Sequence, residues 1–348
     1  MTTPARTVGA RRRETGLTLV ELMVAMVIGV GLLAGVLTVY TESSNAYQVA
    51  ESSSRLQETA NYALGVLEPD IRMAGYWGLF KGGATVVNSA SQTAPTSGIG
   101  GAAVARCGKN FAVDLTTVLE GQNDTYGLAC AAYNSNPMQS GDTLTIRRAA
   151  TTTTTVPSAT AGPLRVCTDR VSATVVNVAP VASCPVAPAG QVSDLFVNTY
   201  YIDNDSVNSV GKPALRLLSL TGPTVLAPDF VDSEVVSGVE DLQVQFGIDP
   251  TGTTCQATQY VDALPAGQLP ANFGQIVAVR IWVLVRADNP EIGFVDNTTY
   301  QYANRSTANG TTSSLNAASA RGKAYRPNDN FRRMLVSRTI MIRNAVGC

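Results

Sequence analysis

Residues 17–40 form an apolar run of 24 positions in which Glu21 is the only ionisable side chain before Tyr40. About 20 apolar residues in a helix cover the hydrocarbon core of a bilayer, so this run is long enough to span one. Beyond Tyr40 the pattern turns amphipathic. Leu56, Ala60, Ala63 or Leu64, and Leu67 recur at helical spacing, with Glu51, Arg55, Gln57 and Glu58 among them, which predicts that the same helix continues with one face on a globular head. Pro69 is expected to disturb the helix near its end. Gly75 and Gly78 then suit a C-terminal turn and a change of direction.

Further along, the period shortens to two. Leu242, Val244, Phe246 and Ile248 alternate with Gln243, Gln245, Gly247 and Asp249, the pattern of a strand with one buried face. Val277, Val279, Ile281, Val283 and Val285 share one face of a second strand, and Met334, Val336, Ile340 and Ile342 give a looser third. Residues 143–148, 195–203 and 214–220 read as further strands. The fold class expected is α+β: a long N-terminal helix packed on a mainly antiparallel sheet. Residues 92–101, 151–155 and 304–330 are rich in Thr, Ser, Ala, Gly and Asn and read as exposed or mobile connections. No repeat of fixed period is present.

The charge at Glu21 needs a reason, because a carboxylate near the bilayer interior costs roughly 3 kcal/mol or more without a partner. Arg11, Arg12 and Arg13 stand just before the apolar run, which leaves the N-terminus in the cytoplasm and sends the remainder out. An ordinary secretory signal carries its cleavage site after the apolar core, whereas here the break in character, Thr15-Gly16-Leu17, precedes it. Cleavage after Gly16 would keep the helix and create an α-amino group at Leu17, one turn from Glu21. That ammonium is the natural partner of the carboxylate, within one chain or between neighbouring helices, where the attraction would set axial register.

The stretch GLTLVEL at 16–22 resembles the prepilin processing site of type IV pilins and type II secretion pseudopilins, in which a membrane peptidase cuts after the glycine and methylates the new N-terminus. The resemblance implies leader cleavage between Gly16 and Leu17, N-methylation of Leu17, and an assembly role for Glu21; Leu17 stands where that family usually has phenylalanine. The stretch DIRMAGYWG at 70–78 resembles PilW-type minor pilins, as do the blocks at 238–247, 277–286 and 331–344. Three regions are therefore expected: a leader over 1–16, the helical segment over 17–78 and a β-rich head over 79–348. The family implies a subunit held in the inner membrane by one pass, with its head in the periplasm, and later displayed on the pilus at the cell surface. Its implied partners are the prepilin peptidase, other minor pilins and the major pilin through the N-terminal helix, and a tip adhesin. The implied work is initiation of filament assembly at or near the tip. A J-type pseudopilin of type II secretion and a binding head displayed on a pilin stalk are the alternatives.

The remaining chemistry narrows the choice further. With 25 basic and 26 acidic residues the chain has no electrostatic footprint for nucleic acid. Six cysteines with no CxxC pair and no histidine argue for disulfides in an oxidising compartment rather than a zinc site. Six cysteines can pair in 15 ways; sequence neighbours suggest Cys107 with Cys130, Cys167 with Cys184, and Cys255 with Cys348. The absence of histidine removes the commonest general base, and no enzyme activity, cofactor or metal is expected. The GxGxxA match at 98–103 reads as a loop rather than a dinucleotide site. Residues 203–208 (DNDSVN) offer oxygen ligands but lack an EF-hand's glycine and distal glutamate, and read as a polar hairpin connection. Arg332 and Arg333 read as strand-edge solvation.

Overall fold

The computed structural model describes residues 16, 18–80, 87–88, 107, 111–112, 115, 117–154, 164–176, 190–221, 230–252, 254–263 and 276–344. Two units divide at the boundary between Met1–Glu51 and Ser52–Cys348. Within the first, the described residues from Leu19 onward are helical, the start of α1 (Leu19–Arg72). In the second, the rest of α1 is followed by strands.

One antiparallel framework comprises β1 (Val87–Asn88), β2 (Leu119–Gln122), β3 (Thr143–Thr153), β4 (Arg165–Thr168), β5 (Ala173–Val176), β6 (Gln191–Asp203), β7 (Ala214–Leu220) and β8 (Phe230–Ser237). The strands run β1-β5-β4-β6-β3-β2, with β7 between β6 and β8; only the β1–β5 pairing is parallel. A second sheet follows with β9 (Val239–Ile248), β10 (Gln259–Asp262) and β11 (Ile276–Arg286). A small parallel pair, β12 (Ser306–Thr312) and β13 (Lys323–Tyr325), precedes β14 (Arg333–Met341), which completes the second sheet in the order β10-β9-β11-β14. The expected α+β class and antiparallel head are present.

The core forms where the helical and strand patterns meet. Leu56, Ala60, Ala63, Leu64, Leu67 and Ile71 of α1 lie against Leu242, Val244, Phe246, Val279, Ile281 and Val283 of the second sheet and Leu144, Ile146 and Tyr200 of the first. Burying each of the larger aliphatic side chains contributes about 1.5–3 kcal/mol, which outweighs any helix propensity of this segment. Pro69 falls in the last turn of α1, which ends at Arg72. Gly75, at φ +71°, donates its N–H to Arg147 O (3.0 Å), and Tyr76 O accepts from Ala149 N (2.6 Å), so the chain leaves the helix along β3. At Gly78, φ is +78°, a backbone angle that favours glycine, and an added Cβ would also have to displace the Gln191 side-chain end 2.1 Å away.

Three sequence expectations need correction. β9 is buried on both faces: besides its apolar set, Asp241 and Gln243 are at most 1% exposed, as is Asp249 just beyond its end. Asp241 accepts hydrogen bonds from Tyr302 Oη (2.6 Å) and from Arg305 Nε (2.7 Å), the latter in the segment read as an exposed connection. That segment carries β12 and β13 and buries Arg305, Leu315 and Tyr325. Arg305 also donates to Ser140 O, and removing either side of this buried arrangement would leave an uncompensated charge, so the polar stretch is tied to the head there. Arg333 is likewise no surface solvator: its side chain is fully buried among Glu240 (2.5 Å), Asp329 (2.6 Å) and Asp296 (3.6 Å). Arg332 forms a two-bond pair with Glu291.

Cys107 and Cys130 are joined, the expected pairing. Cys167 and Cys255 are also disulfide-bonded, while Cys184 and Cys348, their expected partners, lie outside the described residues. The loops expected at 92–101 and 98–103 lie outside them too. Of the threonine run at 151–155, the first three residues are the exposed end of β3.

Candidate functional site

Among the described residues nothing covers the apolar first half of α1. Leu19, Val27, Leu32 and Leu37 are between 61% and 74% exposed, whereas Leu56, Leu64, Leu67 and Ile71 on the same helix are 5% or less. Length and composition suffice for this helix to cross a membrane. Gly31 and Gly35 have no heavy atom within 4 Å of an added Cβ position, so the GxxxG face is open to close approach by another helix.

Gly16 is exposed, and Leu17 lies outside the described residues. Glu21 is exposed and has partners in its own chain: Thr18 N–H (3.0 Å) and Thr18 Oγ1 (3.1 Å) donate to Glu21 Oε2, and Glu21 N–H donates to Thr18 Oγ1 (3.3 Å). This is a capping box, threonine at the N-cap and glutamate three residues on, satisfying helix-start donors that have no partner within the helix. Sequence reasoning passed over Thr18, although the S/T-x-x-E signature was present in TLVE. The carboxylate also sits at the positive end of the helix dipole, which favours it there.

At the other end of α1, Asp70 of the DIRMAGYWG stretch is 5% exposed and accepts hydrogen bonds from Arg148 Nε (2.6 Å), Asn198 Nδ2 (2.9 Å) and Tyr200 Oη (2.9 Å). A carboxylate in the last turn is disfavoured by the helix dipole, so its cost is met by Arg148 from β3 and two donors from β6. Burial and the adjacent Asp70 raise the Tyr200 pKa, which keeps its hydroxyl a donor. Beside it Glu68 binds Arg338 of β14 (2.7 Å) and pairs with Arg72, and Arg72 O accepts from Arg343 N (3.2 Å). The resemblance quoted this stretch as a motif; its structural content is a lock between the helix end and both sheets.

The turn at 203–208 is a hairpin connection whose oxygens are largely satisfied by the protein. Asp205 Oδ1 accepts from Gly211 N (2.7 Å), Asp205 Oδ2 from Asn136 Nδ2 (3.1 Å), and Asp203 Oδ1 from Asp205 N (3.0 Å). Among the described residues no group of three or more His, Cys, Asp or Glu could hold a metal. Asp203 Oδ2 is buried without a hydrogen-bond partner. Burial, with added repulsion from Asp205 and Asp232, pushes the Asp203 pKa up to about 7. A carboxyl whose pKa rises on folding favours the folded state while protonated, and that contribution fades as pH climbs from about 4 to about 7. The melting temperature of Asp203→Asn relative to the natural chain is therefore expected to increase between pH 4 and pH 8. A difference that stays flat with pH would contradict this assignment.

An apolar exposed half-helix opened by a capping box, continued into a buried half that carries an antiparallel head, defines a type IV pilin-like protein. A family model described as prokaryotic N-terminal methylation motif matches residues 11–37, and one described as Type IV Pilus-assembly protein W matches residues 199–344. Over these residues the chain is similar to the PilW-type minor pilins. Among solved structures, a type IV-like pilin from Thermus thermophilus is similar over 84% of this chain and 97% of that one, at 12% identity and a TM-score of 0.38, a likeness too loose to carry an argument. A search of curated proteins found no match. Pilins are structural proteins, and the apolar helix with its methylation motif marks a membrane-associated component of the pilus.

Proposed function

We propose that this subunit is cut after Gly16 by a prepilin peptidase, methylated at Leu17, and held in the inner membrane by one pass with its head in the periplasm. It then joins other minor pilins and the major pilin through the first half of α1, helping to initiate the filament at or near its tip, where an adhesin can be its neighbour. The three regions are then the leader (1–16), the helical segment (17–78) and the head (79–348). The observation that carries this reading is the contrast along one helix between an open apolar half and a buried one. An apolar surface of that size is stable only in lipid or among other apolar helices. The match at 199–344 favours the pilus over a J-type secretion pseudopilin.

Gly16→Glu tests the processing step. A glutamate at the cleavage position is expected to leave a full-length precursor in the membrane, seen as a band about 16 residues larger on an immunoblot, and absent from sheared filaments. Normal piliation from an uncut precursor would refute the role.

A further inference from the structure

The register of β14 shows which of its backbone groups are used. Ile342 N donates to Val277 O (3.0 Å) at one end of the β11–β14 ladder, and Ala287 N donates to Arg332 O (2.8 Å) at the other. Between them the pairs run without a shift, from Ala278 opposite Met341 to Arg286 opposite Arg333. In an antiparallel pair, hydrogen-bonded positions alternate with non-bonded ones. Met334, Val336, Arg338 and Ile340 therefore bond to β11, and the N–H and C=O groups of Leu335, Ser337, Thr339 and Met341 point away from it. β14 is the edge of its sheet. Among the described residues no backbone hydrogen bond reaches those four from elsewhere, and Ser337, Thr339 and Met341 are exposed. A row of eight unpaired backbone groups is a template for another strand, and no proline interrupts it.

The two flanks of this edge differ in chemistry. On the face shared with α1, Arg338 is half-exposed and meets Glu68, which also holds Arg72, so two arginines share one carboxylate. The opposite face carries Met341, 60% exposed, with Trp282 and Tyr260 around the Arg280 guanidinium, 5.8 and 3.8 Å from the ring centroids. Arg280 Nε also donates to Thr339 Oγ1 (3.3 Å). Two-fold pairing of β14 with its own copy would bring the arginine clusters together, which disfavours a second copy as occupant.

We propose that the free edge of β14 is a docking site for an extended segment of a different polypeptide, whose residues alternate between acidic, beside Arg338 and Arg72, and apolar, beside Met341 and Trp282. Main-chain hydrogen bonds supply the adhesion and the two flanks supply the selectivity, as in other cases of strand addition. This inference does not depend on processing or on filament assembly.

The test uses the full-length chain in detergent micelles, with amide hydrogen exchange read at single-residue resolution. The probes are two capped nine-residue peptides, one alternating valine with glutamate and one alternating valine with lysine. In the free chain the amides of Leu335, Ser337, Thr339 and Met341 are expected to exchange fast and those of Val336, Arg338 and Ile340 slowly. At millimolar concentration the glutamate peptide is expected to slow the fast set at least tenfold and the lysine peptide to leave it unchanged. Ser337→Pro removes an N–H that β11 does not use, and a proline at such an edge position leaves the ladder intact. It is expected to abolish the peptide effect while the slow set stays slow. Slow exchange of the outward amides in the free chain, equal protection by both peptides or by neither, or protection that grows with protein concentration alone would each overturn the proposal, the last by placing a second copy on the edge.

Discussion

Asp70→Ala is expected to destabilise the head by about 3 kcal/mol, more than any exposed ion pair is worth. Removing the carboxylate leaves the Arg148 guanidinium, 19% exposed, without its ion partner, and leaves the Tyr200 hydroxyl and Asn198 amide without their acceptor. Breaking a buried pair from one side costs about 3–5 kcal/mol, and the lower end applies because Arg148 keeps some contact with water. For a unit of this size the melting temperature should fall by about 6 °C. Glu68→Ala is the internal comparison. Glu68 touches Arg72 and Arg338, which are 41% and 49% exposed, and pairs of that kind contribute about 0–1 kcal/mol. Thermal unfolding of the full-length chain in micelles separates the two substitutions. Equal, small losses would mean that the DIRMAGYWG stretch does not lock the helix to the sheets.

The apolar framework was readable from the sequence because period and burial coincide. Leu56 to Ile71 on the helix and Leu242 to Ile248 on β9 bury the residues whose spacing marks them. Gly75 and Gly78 also stood where a turn needed them. What escaped was polar. Arg147 is fully buried by Phe111 O, Thr117 O and Glu120, Arg305 by Asp241 and Ser140, and Arg333 by Glu240 and Asp329. A charged residue in isolation reads as solvated, and only a partner tens to hundreds of residues away reverses that reading. The same limit explains why residues 304–330 looked like an exposed connection: composition shows many small polar side chains and hides the one guanidinium that anchors them. At the N-terminus the signal was local and present. The spacing of Thr18 and Glu21 is a capping box, and reading Glu21 only for its charge overlooked it.

That capping box makes Glu21→Gln a sharper substitution than alanine. Glutamine at the third helical position still reaches back to the Thr18 N–H, so the helix start is kept and the charge alone is removed. In the natural chain the carboxylate carries a cost of roughly 3 kcal/mol near the hydrocarbon, which a neighbouring α-ammonium relieves on assembly. Glutamine has no such cost to relieve and loses the register preference, a factor of about 100 in the equilibrium for joining the filament. The deciding measurement is the fraction of mature subunit recovered in sheared filaments, with leader removal followed in the same cells. Efficient cleavage with incorporation reduced at least tenfold is the outcome the electrostatic account predicts. A cleaved Glu21→Gln subunit that enters filaments as readily as the natural chain would contradict it.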